Sequence, residues 1–307
     1  MTIKSVFIGG LDRSGKTYMR FILEAHPEII FSKRTFLWSK YYNKYGSLEK
    51  SENLEQLLTA MAKNKHVMAL TPNINQLRDD LQQGSHSYER IFELIHQQFA
   101  EKNEKNYWGD QSEDLENYAA KILNAYPNAK FIHMIRDPRD RFLAILKKAS
   151  NRRQGLGIAT ARWLKSARLA KMNQSEFPDR YLAIRYETMV TNLENTIKNV
   201  CDFLGLKYES SMLLLEQVPR FKNQDSIENP SDSPITRKYV GQFKEQLSPS
   251  QISFIEKFSH LYMKEFQYIL NENQKTDRQS ITEYLKTWPI NVLQMAGWNL
   301  VTQEGRV

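Results

Sequence analysis

The chain has a single cysteine in 307 residues. No intramolecular disulfide can form, and no cysteine cluster can hold a metal. That residue, Cys201, lies in Ile197-Lys-Asn-Val-Cys-Asp-Phe-Leu204, an amphipathic helical pattern that reads as core. Also missing is any apolar run of about 18 residues, the length that a membrane-spanning helix needs. The first residues lack the charged and then apolar layout of a secretion signal. The expectation is a cytoplasmic protein with no membrane span. Acidic residues are outnumbered, with 43 Lys and Arg against 35 Asp and Glu and a formal charge of +8. The pI of about 9.3 suits an anionic ligand. The cations are scattered and form no single tract, which argues against nucleic acid as a partner. No internal repeat is visible.

What is present is enough for a full core, since 41% of the residues are hydrophobic. Apolar strand candidates alternate with helical patterns. The strands read Ser5–Gly9, Val67–Leu70, Tyr107–Gly109, Lys130–Ile135 and Arg180–Ile184. The helices read Asn53–Ala62, Tyr88–Glu101, Asp114–Ala125, Pro138–Ala149, Thr160–Met172, Thr191–Leu204 and Pro249–Phe266. This alternation predicts an α/β class, a three-layer α/β/α arrangement with a central, mostly parallel sheet. Ligands bind beyond the carboxyl ends of the strands in such sheets. Residues 219–240 are polar with three prolines and read as a long surface loop. Residues 1–270 form the main domain. Residues 271–307 read as an extension whose Leu285, Trp288, Ile290, Met295 and Trp298 pack on the body or on a second subunit of a homodimer.

Ser5-Val-Phe-Ile-Gly-Gly-Leu-Asp-Arg-Ser-Gly-Lys-Thr17 runs from an apolar strand into a loop that can hold a phosphate. Gly10, Gly15, Lys16 and Thr17 satisfy the G-x-x-x-x-G-K-[ST] pattern. A strand-loop-helix unit aims backbone N–H groups and a positive helix end at an anion. Arg13, Lys16 and Thr17 add charge and donors. Taken alone, this loop points to a nucleoside triphosphate and an ATP-dependent small-molecule kinase. A second absence speaks against that reading. A Mg-nucleotide enzyme of this type needs a carboxylate at the end of a second apolar strand, and Lys130–Ile135 ends in Arg136. Asp137 is a good N-cap and Pro138 suits the first helical position. Asp140, Ala144 and Lys148 then share one helical stripe. Two anion sites at two strand ends suit a ligand with two separated phosphate groups.

At these residues the chain resembles the sulfotransferases that use 3′-phosphoadenosine 5′-phosphosulfate (PAPS), a P-loop-like fold. Arg13-Ser-Gly-Lys-Thr17 matches the family's 5′-phosphosulfate loop, and Arg136-Asp-Pro-Arg-Asp140 matches its 3′-phosphate motif. Trp108-Gly-Asp-Gln-Ser112, Arg185-Tyr-Glu-Thr-Met-Val190 with Cys201-Asp-Phe-Leu-Gly205, and Tyr239-Val-Gly-Gln-Phe-Lys244 resemble three further blocks. They keep the family's order over roughly residues 3 to 270, and the tail lies outside the match. The resemblance implies a donor site built from Arg13, Ser14, Gly15, Lys16, Thr17, Arg136, Lys148 and Tyr186, with no metal. Arg13 and Lys16 would stabilise the leaving group. The acceptor would be a hydroxyl or amine of a small molecule or glycan.

Departures from the family pattern matter as well. Ala144 stands where a Ser is usual, Lys16 replaces a Thr, and Gln242 falls where a basic residue is common. Family members often take their base from the loop after the first helix, but Phe31-Ser-Lys-Arg-Thr-Phe-Leu-Trp38 holds no acid. Asp110, at a strand end, is then the candidate base, set against a structural role. These departures also keep a catalytically silent nucleotide-binding homologue open. Lys33, Arg34, Phe36, Trp38, Tyr41, Tyr42 and Tyr45 are either an acceptor pocket or an ordinary packed helix. His26 reads as a capping residue and His133 as core.

Overall fold

The computed structural model describes residues 3–82, 84–147, 155–214, 237–271 and 278–304. Lys148 and most of the expected 219–240 loop lie outside the described residues. Five strands form one sheet: β1 (Lys4–Gly9), β2 (Ile29–Lys33), β3 (Tyr107–Gln111), β4 (Lys130–Ile135) and β5 (Tyr181–Arg185). Their order is β2-β3-β1-β4-β5, and every pairing is parallel. The expected α/β class with a central parallel sheet is what is found. Side chains alternate across each strand. Val6 and Ile8 of β1 join Ile132 and Met134 in the core on one face. Phe7 joins Trp108 and Phe131 on the other. Both faces are covered, as parallel sheets require.

Short helices α1 (Lys16–Glu24) and α2 (Leu37–Lys40) flank β2 in the chain. α3 (Ser51–Ala62), α4 (Lys65–Met68), α5 (Ile74–Gln82) and α6 (Tyr88–Lys102) lead to β3. α7 (Ala119–Ala125) precedes β4, and α8 (Pro138–Lys147) and α9 (Leu156–Glu176) follow it. After β5 come α10 (Tyr186–Thr191), α11 (Leu193–Leu204), α12 (Phe243–Gln246), α13 (Pro249–Glu265) and α14 (Arg278–Glu304). Two elements correct the sequence reading. Val67–Leu70 is not a strand but lies at a helical turn, α4, where the Asn64 side chain accepts from the His66 N–H. The missing strand is Ile29–Lys33. Short apolar runs do not reveal their own period, and here tertiary pairing with β3 made the choice.

α14 packs one side on the body. Met295 and Trp298 join Leu156, Ala159 and Phe254 in one cluster, and Trp288 meets the Phe254 ring edge-on at 5.4 Å. The opposite side leaves Leu285, Leu293, Leu300 and Val301 exposed by 64 to 74%. Among the described residues no helix is long and apolar enough to cross a membrane.

Candidate active site

β1 sits between β3 and β4, so its carboxyl end opens onto a crevice with a strand end on each side. The loop from Gly9 to Gly15 occupies that crevice. Gly10 adopts φ +111°, and a Cβ there would lie 2.2 Å from the Met134 carbonyl oxygen. Gly15 adopts φ +95°, and its missing Cβ would lie 2.7 Å from the Tyr186 ring. Both positions therefore need glycine. Arg13 is left-handed at φ 65° without being glycine, a strained conformation of the kind that collects at functional sites. No side chain caps α1, so its first N–H groups face the crevice mouth.

Arg136, at the end of β4, joins the two expected sites. Its Nη1 donates to the Arg13 carbonyl at 3.2 Å, and its Nη2 donates to the Tyr239 carbonyl at 2.8 Å. The guanidinium carbon stands 4.5 Å from the Tyr186 ring centroid, a cation–π contact. Tyr186 is thus clasped between Gly15 and Arg136, and burial pushes its pKa up to about 12. The Nε of Arg136 is buried without a partner among the described residues. An unpaired buried guanidinium nitrogen fits a site made for an anion. Trp163 Nε1 donates to the Arg136 carbonyl at 2.8 Å and fixes the strand end.

The carboxylates of Asp137 and Asp140 serve structure. Asp137 accepts from the N–H and guanidinium of Arg139. Asp140 accepts from the N–H groups of Gly241 at 2.6 Å and Phe243 at 3.0 Å. Those bonds lay the Tyr239–Phe243 segment over α8. The family-like block that seemed remote in sequence therefore closes the second site.

The other expected residues divide. Lys16 and Thr17 open α1 at the crevice. Ser14 turns inward, where its hydroxyl and its N–H both donate to the Leu11 carbonyl, so it shapes the loop and keeps its hydroxyl away from a ligand. Asp110 requires a correction. It is fully buried. Its oxygens accept from the hydroxyls of Ser32 at 3.3 Å, Thr35 at 2.9 Å and Ser112 at 2.8 Å. A carboxylate so enclosed has no free face for an acceptor proton. It anchors the turn after β2, where Arg34 and Phe36 are both left-handed. The aromatic stretch is mostly core: Trp38 and Tyr41 are buried, and Tyr42 donates to Glu89 at 2.8 Å. His26 bonds the Lys207 carbonyl and the Glu28 N–H. His133 is buried between Tyr181 and Ser166.

Two residues that the sequence did not single out complete the crevice. Glu116 accepts from the Gly10 N–H at 3.1 Å and is buried. Burial works against its charge, but Lys16, His133 and backbone N–H groups outweigh burial and lower its pKa. Arg162 of α9 reaches Asp12 at 3.8 Å and Asp114 at 3.9 Å. Neither carries a local sequence signal, because each acts across a sequence separation that only the fold closes.

Comparisons with known proteins give the family. The model of the sulfotransferase family matches residues 5–210, and a sulfotransferase domain model matches residues 159–267. A provisionally named protein-tyrosine sulfotransferase of Caenorhabditis briggsae is 26% identical over 68% of this chain and 68% of its own length. The protein-tyrosine sulfotransferase of Drosophila melanogaster is 23% identical over 77% of this chain, and the match spans 47% of the fly protein. The sulfotransferase domain of the Synechococcus PCC 7002 olefin synthase shares the fold, with a TM-score of 0.59 at 20% identity, covering 87% of this chain and 95% of that one. With β4 ending in Arg136 where a nucleotide kinase needs its metal carboxylate, and with two thirds of its length inside the family model, this chain is an enzyme of the sulfotransferase family.

Proposed function

We propose that the protein transfers a sulfuryl group from PAPS to an acceptor oxygen or nitrogen. The observation that carries the donor assignment is Arg136, whose Nη1 bonds the Arg13 carbonyl while its Nε stays unpaired. One guanidinium thereby couples a loop suited to a 5′-phosphosulfate to a strand end suited to a 3′-phosphate. Lys16, Thr17 and the α1 N-terminus would hold the 5′ side. Arg136 and the Tyr239–Phe243 segment would hold the 3′ side. PAPS supplies an activated sulfur–oxygen bond. Arg13 and Lys16 stabilise charge on the departing phosphate, by the logic of preorganised cations. Protein tyrosine joins small molecules and glycans in the acceptor class, because the Caenorhabditis and Drosophila relatives carry that name.

Thermal shift tests the donor. Adenosine 3′,5′-diphosphate at 100 times its Kd is expected to stabilise the protein by about 2.7 kcal/mol. Arg136→Ala is expected to abolish that shift. Stabilisation by Mg·ATP with none by adenosine 3′,5′-diphosphate would reject the donor.

We also propose that the exposed side of α14 pairs with a second copy. Between Leu285 and Val301 the helix has apolar residues on all sides and carries Lys286 as its one charge. A helix of that kind is normally buried all round. A helix lying on a lipid surface has a Lys- and Arg-rich polar face, and α14 has none between those residues.

A further inference from the structure

Sulfuryl transfer needs a group to take the acceptor proton, and the turn after β2 offers none while Asp110 is enclosed. Three carboxylates lie within electrostatic reach of Lys16: Asp12, Asp114 and Glu116. Asp12 is occupied by Arg141 at 2.6 Å. Glu116 is buried and occupied by the Gly10 N–H. Asp114 differs from both. It stands just beyond the carboxyl end of β3, with its side chain 52% exposed. Its carboxylate accepts no hydrogen bond from the described residues, and Arg162 Nη2 stands 3.9 Å away. Its backbone is left-handed at φ 63°, a conformation that Asp tolerates better than most residues. Among the described residues of the crevice, Asp114 is thus a half-exposed carboxylate that accepts no hydrogen bond, paired only loosely with Arg162 and within electrostatic reach of Lys16 of the donor loop.

We propose that Asp114 is the general base of the reaction, the group that contacts the acceptor O–H or N–H. This rests on the sulfuryl-transfer reading. The acceptor heavy atom forms a bond to sulfur as the bond from sulfur to the bridging phosphate oxygen breaks. The electron pair leaves on that oxygen, giving adenosine 3′,5′-diphosphate, and the acceptor proton passes to an Asp114 oxygen and then to water. Arg162 and Lys16 keep the carboxylate ionised and oriented. Burial and the nearby Glu116 act in the other direction and leave its pKa raised above that of an ordinary Asp, which strengthens it as a base.

The test compares Asp114→Asn, Asp114→Glu and Glu113→Gln with the wild type. Binding of adenosine 3′,5′-diphosphate is read by thermal shift. Turnover is read as release of that nucleotide from PAPS, with a tyrosine-containing peptide, a phenol and an amino sugar as acceptors. Asp114→Asn is expected to keep the thermal shift, because Asn also tolerates the left-handed backbone. Its kcat is expected to fall by about 10²–10⁴-fold, with loss of the acidic limb of the pH profile. Asp114→Glu should restore that limb in part, and Glu113→Gln should keep the thermal shift and the turnover while moving the acidic limb to lower pH, because Glu113 is one of the charges that raise the Asp114 pKa. An Asp114→Asn enzyme with near wild-type turnover and an intact acidic limb would overturn the assignment of the base alone. A wild-type protein that neither binds the nucleotide nor consumes PAPS would overturn the sulfuryl-transfer reading, and the base with it.

Discussion

Ala144 lies one helical turn beyond Asp140 on α8, under the segment that Asp140 holds in place. The family pattern has a Ser at this position of the 3′-phosphate motif, and Ala144 lacks its hydroxyl. A hydrogen bond to a charged group contributes about 1.5–3 kcal/mol, and each 1.4 kcal/mol is tenfold in affinity. Ala144→Ser is therefore expected to tighten adenosine 3′,5′-diphosphate binding by roughly 10- to 100-fold. Calorimetric titration checks this, and an unchanged Kd would place the 3′-phosphate away from α8. At the same scale, Asp110 shows that a place at a strand end does not by itself give a side chain a free face. The residue is at a strand end beside the crevice, yet three hydroxyls hold it inward.

Between elements, Glu187 is the clamp. It stands in the first turn of α10, accepts from the Asp137 N–H at 2.9 Å, and accepts from the Tyr268 hydroxyl at 3.1 Å. It thus ties α10 to the start of α8 and to the chain that follows α13. Burial is the main reason that its pKa is raised from 4.5 to about 7. A carboxyl with a raised pKa binds more protons folded than unfolded across that window. Its contribution is therefore fully favourable below about pH 4.5 and is lost as the pH rises to about 7. His133, which burial pushes down to about 4, acts with the opposite sign between about pH 4 and 6.5, so the wild-type curve alone will not isolate Glu187. Glu187→Gln keeps an acceptor oxygen and removes the titration. Its stability relative to the wild type is expected to improve as pH climbs from 4.5 to 7, measured by urea unfolding at several pH values. A difference that stays flat across that range would show that the carboxyl does not hold its proton in the folded state.

For the whole molecule, the prediction concerns assembly. Each copy has a mass of 36.1 kDa, and pairing through α14 is expected to give twice that mass in multi-angle light scattering. Leu293→Glu, on the exposed side, is expected to return the single-copy mass without lowering the adenosine 3′,5′-diphosphate shift. A wild-type protein of single-copy mass at tens of micromolar would reject the pairing. The other side of α14 should be insensitive to this test, since Trp288 and Met295 are already used against Phe254 and its neighbours.

The sequence by itself determined what local patterning and side-chain chemistry can encode. The β1 loop and Arg136 were legible because each sits at a strand-to-helix junction whose glycines, cap and cations stand next to one another in the chain. The parallel sheet was legible from the alternation of apolar runs with helical periods. Tertiary structure decided the rest. It made Ile29–Lys33 a strand and Lys65–Met68 a helix, because runs of four or five residues take their form from whatever they pair with. It drew Tyr239 onto Arg136 across 103 positions and Glu116 onto Gly10 across 106. Such contacts leave no mark at either residue alone. It also turned Asp110 inward and left Asp114 outward, although both lie near the end of β3, because burial and hydroxyl partners are fixed only once β2 pairs with β3 and its following turn folds over them.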